Sequence, residues 1–210
     1  MSNKNIGNVV IFGDSYSTYE GWIPEGYAVY YKQGGIVPDV SKTWWKQLLG
    51  MTGAGLTANN SWSGSTICTT GYNGIRQVPS AYVTRVQKHL RDGRYGDRSV
   101  DTVLIFGGTN DCWAGAPLGE ARYADWTEDD LAQVAPAVCF LLDYMAKHNP
   151  TVRTVMIVNC DMTDEITAIL IDACRHYGVE CVRLAQIDKR DGHPTAAGMA
   201  QIAEQVYAAL

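Results

Sequence analysis

Two residues far apart in the chain, Ser15 and His193, carry the clearest chemical signal. Serine is a weak nucleophile at its ordinary pKa and needs a neighbouring base. Ser15 ends the segment Val9-Val10-Ile11-Phe12-Gly13-Asp14-Ser15, an apolar, β-branched run closed by a glycine. That pattern predicts a buried strand whose carboxyl end carries the serine. Ligands of open α/β sheets bind at that edge. Of the four histidines, His89, His148 and His176 fall near predicted helix ends, where a histidine meets the last carbonyls. His193 instead follows the last predicted strand and precedes Pro194, so it reaches the same edge as Ser15. Either residue alone is unremarkable, because polar turns are rich in such side chains. Attack on an ester also requires donors for the developing oxyanion. Three candidates converge on this edge: the N–H groups of Ser15 and Gly64 and the side-chain amide of Asn110. A residue without Cβ lets its N–H approach closely, and an asparagine amide offers two donors without charge.

The motifs around these residues narrow the chemistry. Gly13-Asp14-Ser15-Tyr16-Ser17, Asn60-Ser61-Trp62-Ser63-Gly64, Gly108-Thr109-Asn110-Asp111 and Asp191-Gly192-His193-Pro194 occur in this order. Together they resemble the four blocks of the SGNH (GDSL-type) hydrolases, with Tyr16 where leucine is usual. The third block, placed after a strand, is the most specific. The resemblance spans residues 13 to 194. It implies a flavodoxin-like sheet order of 2-1-3-4-5, a nucleophilic Ser15, a basic His193, and an oxyanion hole made by Ser15, Gly64 and Asn110. It implies no metal and no cofactor. The arrangement differs from the nucleophile elbow of α/β-hydrolases, since no Gly-x-Ser-x-Gly occurs.

The orienting acid departs from the family pattern, which places an aspartate three residues before the histidine. Here Arg190 stands there. Asp191 is the favoured substitute, because residues two apart in an extended segment point to one side. Asp188 is the second candidate, and a main-chain carbonyl with no acid at all is the third. His193 is expected to open the final helix, whose dipole would disfavour the imidazolium.

The elements that must position these groups follow from periodicity. Strands are expected at 9–12, 56–60, 102–106, 152–158 and 179–184, alternating with helices at 43–49, 78–90, 127–148, 163–177 and from Pro194 onward. This alternation predicts a single α/β domain over residues 1–210, a three-layer α/β/α sandwich around a five-stranded parallel sheet. Thr127 and Asp130 suit a capping box, and Pro136 is expected to kink its helix. The long connection from Tyr16 to Ser41 holds six aromatic residues, among them Tyr27, Tyr30 and Tyr31, and is expected to wall or cover the site. Asp14, Tyr16, Trp62 and Trp113 are candidates for substrate contact.

Composition limits the function classes. The 210 residues carry a net charge of −5 and no basic run, which disfavours a nucleic-acid partner. No apolar stretch reads as a signal peptide or membrane span, so a cytoplasmic protein is expected. The six cysteines contain no Cys-x-x-Cys pair and read as free thiols. The expected activity is a serine esterase acting on a small-molecule ester, with a short acyl group on a carbohydrate or similar alcohol. Acyl transfer or thioester hydrolysis at the same site is the alternative within enzymes, and a non-catalytic carbohydrate-binding module the alternative outside them. Oligomeric state is not readable from the sequence.

Overall fold

Residues 4–210 are described by the computed structural model. Five strands form one parallel sheet: β1 (Asn8–Gly13), β2 (Gly55–Ser61), β3 (Thr102–Phe106), β4 (Arg153–Val158) and β5 (Glu180–Arg183). Their spatial order is β2-β1-β3-β4-β5, the flavodoxin-like order. Register runs Val9 to Thr102 and Phe12 to Ile105 between β1 and β3, so the two strands end level, at Gly13 and Phe106.

The described residues form six helices, α1 (Trp44–Thr52), α2 (Tyr82–His89), α3 (Thr109–Trp113), α4 (Val134–His148), α5 (Asp164–Tyr177) and α6 (Ala196–Ala209), of which all but the short α3 cover the two faces. Alternate strand residues feed two cores. Val10, Phe12, Val103, Ile105, Met156 and Val158 pack beneath α2, α4 and α5. Val9, Ile11, Leu104, Phe106, Val155 and Ile157 pack beneath α1 and α6. Burial on both faces is why these strands read as continuous apolar runs rather than as alternating ones. A small ribbon, Leu90–Arg91, Arg94–Tyr95 and Arg98–Ser99, leads into β3. No helix among the described residues is long and apolar enough to cross a membrane.

Three helix starts differ from expectation, the first being α2, which begins at Tyr82 rather than at residue 78. Thr127 and Asp130 do form reciprocal bonds, Thr127 N–H to Asp130 Oδ2 at 2.7 Å and Asp130 N–H to Thr127 Oγ1 at 3.2 Å. They precede a short 3₁₀ turn at Asp130–Ala132, however, and α4 begins only at Val134. Pro136 therefore sits in the first turn of α4, where its missing N–H has no intrahelical partner to lose, and no kink is required. Likewise α6 starts at Ala196, with Thr195 as its cap, so Pro194 lies outside the helix.

Candidate active site

The nucleophile position is built by the turn that follows β1. Asp14 caps a 3₁₀ turn over Ser15–Ser17, its Oδ1 accepting from Tyr16 N–H at 3.0 Å. Close packing fixes that turn, since a Cβ on Gly13 would lie 2.4 Å from the Ser17 side chain. Ser15 is only 3% exposed, and its Oγ lies 3.0 Å from His193 Nε2.

His193 is held by a hairpin rather than by a helix. Lys189–Arg190 pairs antiparallel with His193–Pro194, with His193 opposite Arg190. The two-residue connection is Asp191-Gly192, at φ +51° and +78°. Two positive φ values in an Asp-Gly loop are the mark of a type I′ hairpin. This turn sets how Asp191 meets the ring. Asp191 meets His193 through its main-chain carbonyl, 3.2 Å from Nδ1, and its carboxylate makes no hydrogen bond to the ring. Both residues point as the hairpin dictates, not as an extended segment would place them. Asp188, the second candidate, accepts from the Thr195 hydroxyl and so supports the start of α6. The carbonyl can only accept, so Nδ1 carries the proton and the Nε2 lone pair faces Ser15. The His193 pKa is lowered, first by burial, then by the charge on Lys189. The Asp191 carbonyl bond and carboxylate oppose that shift. With α6 starting three residues later, burial replaces the helix dipole as the cause.

The three expected oxyanion donors are free of protein acceptors, and the reason for Gly64 changes. Asn110 is the second residue of α3, just after β3, and is 2% exposed. Its Oδ1 accepts from the Tyr72 hydroxyl at 2.7 Å, which leaves Nδ2 buried with no protein acceptor. Neither Ser15 N–H nor Gly64 N–H donates to a protein acceptor among the described residues. Gly64 occupies the turn after β2 at φ +79°, and a Cβ there would meet nothing within 4 Å. Glycine is required by the left-handed backbone, not by closeness.

Of the candidate contact residues, Trp62 and Trp113 line the site and Asp14 and Tyr16 do not. Asp14 and Tyr16 are 1% and 0% exposed, and Asp14 Oδ1 is engaged by the Tyr16 N–H. Tyr16 lies behind the hairpin, its hydroxyl donating to the Gly192 carbonyl. Asp14 is raised to about 7, mainly by burial and further by Asp111, against the Tyr16 N–H bond and the charge of Arg85. Trp113 is 41% exposed, with its ring edge toward His193 at 5.5 Å. Trp62 packs against Tyr27, ring centroids 4.0 Å apart and planes tilted by 31°, and lines a cavity of about 520 Å³ shared with Gly64, Tyr72, Gln77 and Pro79.

The aromatic connection is a wall with a specific grip. Tyr30 stacks on His193, with centroids 3.6 Å apart and planes 8° apart, and the Tyr31 hydroxyl donates to the Pro194 carbonyl at 2.8 Å. Ser63 N–H donates to the Ala28 carbonyl at 2.9 Å. The segment 27–31 thus ties the Gly64 turn to the His193 hairpin. Sequence reasoning places Tyr30 in the wall without its stack on His193, and misses Tyr72 and Arg85 as site residues. Only Arg85 left a signal, since it falls three residues after Tyr82 and so shares the buried face of α2.

Comparison with known proteins identifies the family. The family model for GDSL-like lipase/acylhydrolase proteins matches residues 7–210. The structure is similar to that of a candidate GDSL-like lipase from Bacteroides ovatus, at 38% identity and a TM-score of 0.88, over 96% of each chain. A candidate GDSL-like lipase from Bacteroides uniformis gives 38% identity and a TM-score of 0.89, over 97% of this chain and 95% of that one. A family two carbohydrate esterase from Clostridium thermocellum, solved with cellohexaose, shares the fold at 17% identity and a TM-score of 0.59. It is matched over 96% of this chain and 62% of its own. No curated protein matches in sequence. The chain belongs to the GDSL-like lipase/acylhydrolase family and is a hydrolase of ester bonds.

Proposed function

We propose that this protein is a serine esterase that removes short acyl groups from a carbohydrate or similar small alcohol, through an acyl-enzyme on Ser15. The observation that carries the reading is the meeting of Ser15 Oγ with His193 Nε2 at 3.0 Å; Ser15 N–H, Gly64 N–H and Asn110 Nδ2, which have no protein acceptor, support it. His193 Nε2 takes the Ser15 proton as Oγ bonds to the ester carbonyl carbon. The carbonyl oxygen, now negative, accepts from Ser15 N–H, Gly64 N–H and Asn110 Nδ2. The tetrahedral intermediate collapses, the C–O bond to the alcohol breaks, and His193 returns the proton to the leaving oxygen. A water then repeats the sequence on the acyl-enzyme and frees Ser15. While His193 is cationic, its Nδ1–H stays on the Asp191 carbonyl, and the Tyr30 face supplies a cation–π contact. The site works as a Ser–His dyad oriented by the main chain.

The substrate class rests on the walls of the site. Trp62 and Trp113 present aromatic faces suited to sugar rings, and the cavity beside Gly64 has aromatic and proline walls with polar groups from Gln77, Ser63 and Ser80. Aryl esters of graded acyl length, tested beside acetylated sugars, decide the matter. Acetyl esters are expected to turn over fastest, with KM for the sugar ester raised in Trp62→Ala and Trp113→Ala. A clear preference for long acyl chains, or unchanged kinetics in both variants, contradicts the reading.

A further inference from the structure

Arg85 on α2 is fully buried, at 0% exposure, yet no carboxylate lies within ion-pair distance of it among the described residues. A buried guanidinium without a paired acid is unusual. All five of its N–H groups are used, and every acceptor is neutral. Nε donates to Ser80 O at 2.7 Å. Nη1 donates to Asn60 O and, at 3.0 Å, to Asn60 Oδ1. Nη2 donates to Gly13 O at 3.2 Å and Ser65 Oγ at 3.0 Å. The group also lies 4.4 Å from the centre of the Tyr82 ring.

We infer that Arg85 is a positioning residue for the oxyanion donors, clamping the end of β1 before Ser15 to the turn that carries Gly64. The inference rests on the proposed reading of Ser15, Gly64 and Asn110. Gly13 O accepts from Arg85 and also from Trp62 N–H at 3.0 Å, which joins β1 to the Gly64 turn. Ser65 Oγ accepts from Arg85 and donates to Trp62 O at 2.7 Å. Ser65 N–H donates to the same carbonyl at 3.2 Å, and these bonds close the four-residue turn Trp62–Ser65. Gly64 stands inside that turn with its N–H directed by it. Without the fork, both the Gly13 carbonyl and the Ser65 hydroxyl lose a partner and the turn is freer to relax. Oxyanion stabilisation depends on donors fixed beforehand, so such relaxation falls on kcat.

The test compares wild type with Ser65→Ala, Arg85→Lys and Arg85→Met on p-nitrophenyl acetate and its thiono analogue, whose sulfur accepts hydrogen bonds poorly. Arg85→Lys keeps the charge but loses the planar five-donor fork. Ser65→Ala is expected to stay folded by thermal melting and to lose about tenfold in kcat, equivalent to about 1.4 kcal/mol, with KM little changed. Folded Arg85 variants should lose more. The preference for ester over thionoester should shrink in each. The amide order parameter of Gly64 should fall from about 0.85 toward 0.6. A folded Arg85 variant or Ser65→Ala that keeps kcat, the oxygen preference and a rigid Gly64 overturns the inference. If both Arg85 variants unfold, Ser65→Ala decides it. If the wild type cleaves neither ester, the proposed function fails by itself, and the order parameter of Gly64 in Ser65→Ala still decides the clamp.

Discussion

Replacing Asp191 by asparagine separates a dyad from a triad. In a triad the aspartate carboxylate holds the histidine tautomer, and its conversion to asparagine costs about 10⁴ in kcat. Here the carboxylate is exposed and Nδ1 bonds the Asp191 carbonyl at 3.2 Å. Asparagine accepts the φ of +51° as readily as aspartate and keeps both the hairpin and the carbonyl. The variant therefore loses only the attraction between an exposed carboxylate and the transient imidazolium. Exposed pairs contribute up to about 1 kcal/mol, a factor of about five in kcat. That carboxylate also raises the His193 pKa, so the acid limb of kcat/KM should move slightly to lower pH, and less so in high salt. The assay is p-nitrophenyl acetate hydrolysis across pH, with thermal melting to confirm folding. A loss of about 10³ or more in kcat by a folded Asp191→Asn protein would refute the argument and restore the carboxylate as the third member of a triad.

Three other outcomes follow from the same geometry. Asn110→Ala should lower kcat by about 10² to 10³, and Tyr72→Phe, which frees the Asn110 amide to rotate, should lower it less; steady-state kinetics check both. Gly64→Ala meets no clash but is strained at φ +79°, so denaturant melts should show a loss of about 1–2 kcal/mol. Asp14, at about 7 against an ordinary 3.8, stays protonated in the fold while the unfolded chain ionises. Stability should then fall as pH rises from about 4 to 7, by at most about 4 kcal/mol at about 1.4 per pH unit. Asp14→Asn should flatten that slope, leaving the contribution of Asp111, whose pKa burial also raises.

Much of the molecule could be read from the chain because burial and periodicity act locally. Val9–Phe12 and Thr102–Phe106 are covered on both faces, so their apolar runs announce buried strands. Thr163 and Gly178 mark the ends of α5 by cap chemistry alone, the threonine accepting from Ile166 N–H and the glycine at φ +65°. Ser15, Gly64, Asn110 and His193 are brought to one edge because each follows a strand of the sheet. The orienting group was hidden by a different rule. Asp191-Gly192 carries a hairpin signature, and treating it as an extended pair sent the carboxylate rather than the carbonyl to His193. Pro136 was misplaced because helix pattern does not reveal where the first turn begins. Tyr30 and Tyr72 act across long sequence separations, through a stack on His193 and a bond to Asn110. No local pattern encodes such meetings.

The central claim is a covalent acyl group on Ser15. Rapid quenching of the protein with p-nitrophenyl acetate, followed by intact mass and peptide mapping, measures it directly. The account predicts one acetyl group on the peptide containing Ser15, at up to one per chain, and none in folded Ser15→Ala, which should also be inactive. Near-normal turnover by Ser15→Ala, or an acyl group on another residue with Ser15 unmodified, would contradict it.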